Sequence, residues 1–129
     1  YFGANITAVC SSTNVTLVKS LGADNVIDYT TEDFTKNETR FDIIFDAVGK
    51  TSKSACKHIL KQKGKYVSVL DSPDKNPNDL LFLKDLIESG KLKTVIDRRY
   101  PLEQIREAHA YVENFHKKGN VVINVFKNQ

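Results

Sequence analysis

Short apolar runs alternate along this chain with polar segments whose apolar residues recur every three or four positions. The runs have the length and bounding residues of β-strands, and the spaced residues indicate amphipathic helices. The predicted strands lie at residues 5–12, 25–29, 41–49, 65–70 and 121–126. The predicted helices lie at residues 15–21, 51–64 and 80–89, and a last helix opens at residues 100–102. The polar segment 30–40 is predicted to hold a short helix and a loop, so strands and helices alternate up to residue 70. This alternation predicts an α/β fold with a doubly wound parallel sheet.

The stretch FDIIFDAVG at residues 41–49 is the strongest strand signal. Its apolar centre, Ile43 to Phe45, is followed by Asp46 and Gly49. Such a run predicts a strand covered on both faces, as in parallel sheets flanked by helices. Ligands bind at the carboxyl ends of the strands in these sheets, so residues 46–49 are predicted to be the functional end.

The last predicted helix carries an apolar stripe that we expect to be buried. Its members are Ile105, Ala108, Tyr111, Val112 and Phe115. The stripe has helical spacing, and Pro101 stands where a first helical turn tolerates proline. The segment 51–64 has a similar pattern, and Gly64 is the expected end of that helix.

Length and composition indicate an ordinary soluble protein of one domain, or of one domain with an appendage, with 129 residues, 40% hydrophobic and 27% charged. The formal net charge of +3 is mild. Four lysines cluster between positions 57 and 65, but no aromatic residues are interleaved with them in the manner of nucleic-acid sites. We therefore expect a solvated helix end there and no nucleic-acid partner.

Cysteine and histidine usage predicts free thiols and no metal. Cys10 and Cys56 stand in no Cys-x-x-Cys pair, which is typical of a reducing, cytoplasmic compartment. His58, His109 and His116 are scattered without ligand spacing, so we predict no zinc. No run of eighteen apolar residues or secretory leader is present, so no membrane span is expected.

Several phrases resemble one known superfamily. They are SLGADNVIDY at 20–29, FDIIFDAVG at 41–49, GKYVSVL at 64–70 and ESGKLKTVIDRRYPLEQIREAH at 88–109. The chain resembles the C-terminal part of the medium-chain dehydrogenase/reductase superfamily, and within it the zinc-free quinone oxidoreductase-like branch. The resemblance implies a partial Rossmann-like nucleotide-binding domain over residues 1–97. Residues 98–129 would then belong to the catalytic domain of full-length relatives.

The resemblance also implies an incomplete Rossmann-like sheet. Neither the first strand nor the glycine-rich turn of the family is found in these residues. In the family that strand lies between the strands matching residues 5–12 and 41–49. Each of these two strands would therefore expose an unpaired edge unless they pair with each other or with another chain, and a homodimer through such edges is an expectation.

The first expected cofactor contact is at the end of the strand at 5–12, where the chain reads CSST with no carboxylate. An NAD site places an acidic residue there, whereas a 2′-phosphate needs hydroxyls or cations. By resemblance, Ser11 and Ser12 would bind the 2′-phosphate of NADPH and Tyr29 would stack nearby. The alternative is that these hydroxyls only cap the next helix, and the two roles are compatible. Asp28 is expected to be a solvated loop charge.

The second expected contact is with the nicotinamide and its ribose. The resemblance assigns it to two adjoining strand ends, whose residues are Asp46, Ala47, Val48, Gly49, Ser68, Val69 and Leu70. The alternative is a plain strand-to-helix turn in which Gly49 permits the bend. No catalytic side chain is predicted, since solvent can supply the proton when a quinone or enone accepts a hydride.

The sequence thus favours an NADPH-dependent quinone or enone reductase acting on a small molecule, with these residues inactive alone. One alternative is a non-catalytic Rossmann-like module that binds a partner through its strand edges. Another is an enoyl reductase piece of a larger synthase.

Overall fold

The computed structural model describes residues 1–71, 76–115 and 117–125. Its strands are β1 Thr7–Cys10, β2 Asn25–Asp28, β3 Phe41–Asp46, β4 Leu60–Ser68, β5 Ile96–Pro101 and β6 Asn120–Asn124. Its helices are α1 Val15–Ser20, α2 Pro77–Glu88 and α3 Ile105–Glu113. The chain divides into two compact units, Tyr1–Asn76 and Pro77–Gln129. The predicted α/β class with parallel strands is confirmed.

The first unit contains two parallel strand pairs, β1–β2 and β3–β4. Cys10 lies opposite Asp28 at the end of the first pair, and Asp46 lies opposite Ser68 at the end of the second. Each pair therefore brings two carboxyl ends together. Within the described residues β1 pairs only with β2 and β3 only with β4, so each keeps one edge without a ladder partner.

The buried apolar side chains of the first unit are few, and they are Ile27, Cys56, Ile59 and Leu60. The expectation that β3 is covered on both faces is wrong for this chain. Ile43 and Phe45 point to one face and are 65% and 61% exposed. Alternation along β3 places Ile44 on the other face, where Asp46 is buried.

The predicted helix at 51–64 is also wrong. Hydrogen-bonded turns run up to Ile59, and β4 begins at Leu60. Ser52 Oγ accepts a hydrogen bond from the Ala55 N–H at 3.2 Å, which is the local bonding that competes with a helix. Gly64, expected as a helix end, lies inside β4, where an added Cβ would stand 2.9 Å from the Phe41 carbonyl oxygen. A glycine is required there because the two backbones approach so closely.

In the second unit the predicted helix at 80–89 is observed as α2, and β5 pairs with β6 in parallel. Pro101 is the last residue of β5, not part of the last helix as expected. In α3 the stripe buries Ala108, but Phe115 is 91% exposed and adopts a positive φ of 56° just after the helix end. The helical spacing therefore does not continue to Phe115. The predicted strand at 121–126 is observed as β6, and its last residue lies outside the described residues.

Candidate nucleotide-binding site

A hydrogen-bonded cluster joins the carboxyl ends of β1 and β2. Ser12 Oγ donates to Asp28 Oδ2 at 2.5 Å. The N–H and the hydroxyl of Thr30 donate to Asp28 Oδ1 at 2.9 and 2.6 Å. These bonds lower the pKa of the Asp28 carboxyl, and the bond from the Ser12 hydroxyl has the largest effect. Asp28 is therefore an ionised member of this strand end, and not the solvated loop charge that its sequence position indicated.

Ser11 stands beside this cluster with a different set of partners. Its hydroxyl lies 3.1 Å from Thr13 Oγ1, and the Asn14 amide donates to it at 3.4 Å. Ser11 is the N-cap residue of a short 3₁₀ turn, but its side chain makes no capping hydrogen bond. The capping interpretation thus does not describe its hydroxyl, which remains at the strand end with other hydroxyls.

Tyr29 is anchored by its backbone and presents its ring to solvent. The Tyr29 N–H donates to the Cys10 carbonyl at 3.1 Å, which continues the pairing of β1 and β2. The side chain is 57% exposed. An exposed aromatic side chain at a strand end is available to stack on a nucleotide base.

The carboxyl end of β3 is organised by a single carboxylate. Asp46 Oδ1 accepts the N–H groups of Val48 and Gly49 at 3.0 and 2.8 Å. Asp46 Oδ2 accepts the Thr51 N–H at 3.2 Å and the Tyr66 hydroxyl at 2.9 Å. Only 7% of Asp46 is exposed. Both oxygens are therefore turned toward the chain's own turn, which they hold in one conformation.

The charge of Asp46 is maintained by these donors. Burial alone would raise the pKa of the carboxyl, but the hydrogen bonds from three backbone N–H groups and from Tyr66 outweigh it and hold the pKa at about 2. Burial and the bond to the Asp46 carboxylate raise the pKa of Tyr66 to about 12. At neutral pH the pair is thus a carboxylate accepting from a neutral phenol.

The remaining predicted residues lie around this turn. Val48 is 71% exposed, and Gly49 has a φ of 73° and faces the Leu70 side chain. The Val69 N–H donates to the Asp46 carbonyl at 3.0 Å, and the Leu70 N–H donates to Ser68 Oγ at 3.2 Å. The β3 and β4 ends therefore form one surface, to which Ala47 contributes an exposed position.

The ten predicted contact residues thus fall into two groups. Ser11, Ser12 and Tyr29 lie at the β1–β2 end, and the other seven lie at the β3–β4 end. In the part of the chain that the structure describes, no hydrogen bond or ion pair joins the two groups. Cofactor binding by both groups remains a prediction.

Sequence reasoning missed four polar residues of these two ends, namely Asp28, Thr30, Thr51 and Tyr66. A signal existed for the first two, because Asx-x-Thr is the pattern of a side chain that accepts an N–H two residues ahead. The pattern occurs five times in the sequence. At Asp28, Asp33 and Asn37 the side chain accepts the N–H of Thr30, Thr35 and Thr39 at 2.9, 3.0 and 2.8 Å. Nothing local identifies Tyr66, whose partner is twenty residues away.

Neither a metal cluster nor a membrane-spanning helix is found in the described part of the chain. The described residues contain no group of three or more His, Cys, Asp or Glu side chains placed to hold a metal ion. Among these same residues, no helix combines the length and the apolar character that crossing a membrane demands.

Paired parallel strands with polar carboxyl ends define a Rossmann-like nucleotide-binding class, and comparison with known proteins identifies the family. Residues 21–81 and 72–123 match the family described as zinc-binding dehydrogenase. The chain belongs to this family, within the medium-chain dehydrogenase/reductase superfamily, and is similar to its quinone oxidoreductases.

Two relatives illustrate the similarity. The chain is 33% identical to the Arabidopsis thaliana protein named NADPH-dependent alkenal/one oxidoreductase, chloroplastic, with 95% of the chain and 34% of the relative covered. It is 36% identical to the 2-methylene-furan-3-one reductase of Solanum lycopersicum, with the same coverage. The chain thus spans about a third of the length of these relatives.

A solved structure supports the fold. The quinone oxidoreductase of Coxiella burnetii superposes with a TM-score of 0.69 at 23% identity, covering 96% of the chain and 46% of that protein. The names of these two relatives describe an oxidoreductase and a reductase, and the first is named as NADPH-dependent. Relatives include chloroplastic and mitochondrial proteins, so the cytoplasmic location stays a prediction.

Proposed function

We propose that these residues form the nucleotide-binding part of an NADPH-dependent oxidoreductase that reduces quinones or enones by hydride transfer. The hydroxyls of Ser11 and Ser12 at the end of β1, together with the exposed side chain of Tyr29 just after β2, are the observation that carries the proposal. One relative is named as NADPH-dependent, and the other is named for a substrate in which a carbon–carbon double bond is conjugated to a ketone.

The residues of the β1–β2 end fit the adenosine half of such a cofactor. Hydroxyls can donate to phosphate oxygens, and an exposed aromatic ring can stack on a base. Ser11 and Ser12 would contact the 2′-phosphate, and Tyr29 would lie against the adenosine. The backbone bond from Tyr29 to Cys10 holds Tyr29 at the same strand end as the serines.

The residues of the β3–β4 end fit the nicotinamide half. Ala47, Val48 and Gly49 would lie along the ring and its ribose, opposite the backbone of Ser68, Val69 and Leu70. Asp46 would position these residues by accepting the N–H groups of the turn that follows β3. A bound nicotinamide supplies the hydride, and the protein supplies position. No side chain of this end has to act as an acid or base, since solvent supplies the proton, and we also predict no zinc.

Nucleotide binding can be measured by titrating the chain into NADPH or NADH and following nicotinamide fluorescence. We expect Ser11→Ala to weaken NADPH binding at least about tenfold, because a hydrogen bond to a charged group contributes about 1.5–3 kcal/mol, and to change NADH binding little. Ser20→Ala is the matched control, because the Ser20 hydroxyl donates to the Leu17 carbonyl within α1. Equal losses for both nucleotides would contradict a 2′-phosphate contact.

We also propose that the 129 residues bind nucleotide without turnover. They cover about a third of the length of relatives whose names describe complete enzymes. The test is NADPH oxidation by this polypeptide with a quinone as acceptor. Steady turnover that scales with protein concentration would overturn the proposal, while binding without oxidation would support it.

A second candidate function is a partner-binding module, supported by the unpaired edges of β1 and β3 and by the exposed Ile43 and Phe45. Apolar edge strands are templates for pairing with another chain, and we propose a homodimer through them. Sedimentation should then show a concentration-dependent dimer that Ile43→Lys weakens. Leu80→Lys, at a 72% exposed helix position, is the control. A monomer at every concentration would reject the homodimer.

A further inference from the structure

The carboxylate of Asp28 lies at the end of β1, although the residues that directly follow β1 in the sequence include no acidic residue. The run CSST that follows β1 contains no acidic residue. Because Cys10 lies opposite Asp28 in the parallel pair, the neighbouring strand delivers its last side chain to the same point. Asp28 Oδ2 lies 2.5 Å from Ser12 Oγ. A negative charge therefore stands beside a hydroxyl that the proposed function assigns to a phosphate.

The hydroxyl proton of Ser12 is already used in the hydrogen bond to Asp28. A serine hydroxyl has one proton, and here it is donated to Asp28. Ser12 can therefore donate to a phosphate oxygen only by giving up its hydrogen bond to Asp28. The second oxygen of Asp28 is held by the N–H and hydroxyl of Thr30, so the carboxylate cannot easily turn away.

No cation offsets this charge among the described residues. Their ion pairs join Lys36 to Asp33, Lys61 to Asp42 and Lys84 to Glu88, and none includes Asp28. A phosphate oxygen in hydrogen-bond contact with Ser12 Oγ would come within about 5 Å of the Asp28 carboxylate. Two negative charges at that distance repel each other.

We propose that Asp28 is a specificity-determining residue that limits the preference for 2′-phosphorylated over unphosphorylated nucleotides. The inference rests on the proposed function and goes beyond it. Ser11 can donate to the phosphate without losing a bond to Asp28, whereas Asp28 competes with the phosphate for the Ser12 proton and also repels the phosphate charge. The unphosphorylated nucleotide carries no charge at this position, so Asp28 does not repel it.

The test uses the full chain and calorimetric titration with adenosine 2′,5′-bisphosphate and adenosine 5′-monophosphate. These probes differ by one phosphate at the position in question. Asp28→Asn keeps the acceptor for the Thr30 N–H, removes the charge and releases the Ser12 proton. We expect it to raise the bisphosphate-to-monophosphate affinity ratio about fivefold, as for one like charge removed at close range.

A matched control is available in the same unit. Asp33 makes the same turn as Asp28, accepting from the N–H and hydroxyl of Thr35 at 3.0 and 2.6 Å, without contact to Ser12. Asp33→Asn should therefore leave the ratio unchanged. Adding Ser12→Ala to Asp28→Asn should reverse part of the gain, because the released hydroxyl is then absent.

The outcomes separate the two proposals. If the wild-type chain binds both probes and Asp28→Asn leaves their ratio unchanged or lowers it, the role of Asp28 is wrong and the nucleotide site stands. The same holds if Asp33→Asn raises the ratio equally. If the wild-type chain binds neither probe, the proposed function fails and the inference fails with it.

Discussion

The hydroxyl of Tyr66 donates a 2.9 Å hydrogen bond to the carboxylate of Asp46 across the β3–β4 pair. The register places Ile44 opposite Tyr66 and Asp46 opposite Ser68, so the two side chains are diagonal neighbours on one face. The same carboxylate receives three N–H groups of the following turn. A residue in the middle of β4 thus helps to fix the conformation at the end of β3.

The first prediction concerns the pKa of Asp46. Tyr66→Phe removes one of the four donors that favour the ionised form, so the pKa should rise from about 2 toward its ordinary value of 3.8. Carboxyl-carbon NMR against pH measures the change. Tyr111→Phe is the control, because its hydroxyl donates to Asp97 in the other unit. An unchanged Asp46 titration in Tyr66→Phe would show that the phenol adds nothing.

The second prediction concerns acid stability. The pKa of Asp46 is lower in the folded state, so its contribution to stability is complete above the ordinary value of 3.8 and is lost as the pH falls toward about 2. The free energy of unfolding of the wild type should exceed that of Asp46→Asn at pH 7. The difference should shrink between about pH 5 and pH 2. Urea denaturation over this range measures it, and a constant difference would contradict the mechanism.

The elements that the sequence predicts correctly are those whose signal is local. The apolar runs of β1, β2 and β3 and the helical period of α2 each predict their own structure, because a few neighbouring residues determine the backbone. The prediction for the segment 51–64 is wrong because the Ser52 hydroxyl accepts the Ala55 N–H within a turn, and because Gly64 is needed where β4 approaches the Phe41 carbonyl. That requirement comes from another strand.

The candidate site is predictable only to the same extent. Positions at strand ends follow from the pattern, so the sequence alone nominates Ser11, Ser12 and residues 46–49. It does not nominate their partners, since Asp28 reaches Ser12 through the register of β1 with β2. Tyr66 similarly reaches Asp46 through the register of β3 with β4. Strand register is a long-range property that one sequence does not reveal.

The third prediction concerns the close approach at Gly64. An added Cβ would lie 2.9 Å from the Phe41 carbonyl oxygen and 3.0 Å from the Lys61 carbonyl oxygen. Gly64→Ala must therefore displace backbone, and should lower the free energy of unfolding by about 1–3 kcal/mol. Lys63→Ala, at the preceding exposed position, should change it by less than about 0.5 kcal/mol. Equal stability of Gly64→Ala and wild type in urea would show that the strands separate freely there.

The fourth prediction compares two isoleucines of the first unit. Ile59 is 2% exposed and Ile43 is 65% exposed, although both occur in apolar segments of the sequence. Ile59→Ala should lower the free energy of unfolding by about 2–5 kcal/mol, because it removes buried methyl groups and leaves a cavity. Ile43→Ala in the monomer should cost less than about 1 kcal/mol, since solvent already surrounds the side chain. Urea denaturation at low protein concentration makes the comparison. A large loss for Ile43→Ala under those conditions would mean that the face of β3 carrying Ile43 and Phe45 is covered in solution, and that the homodimer persists at that concentration.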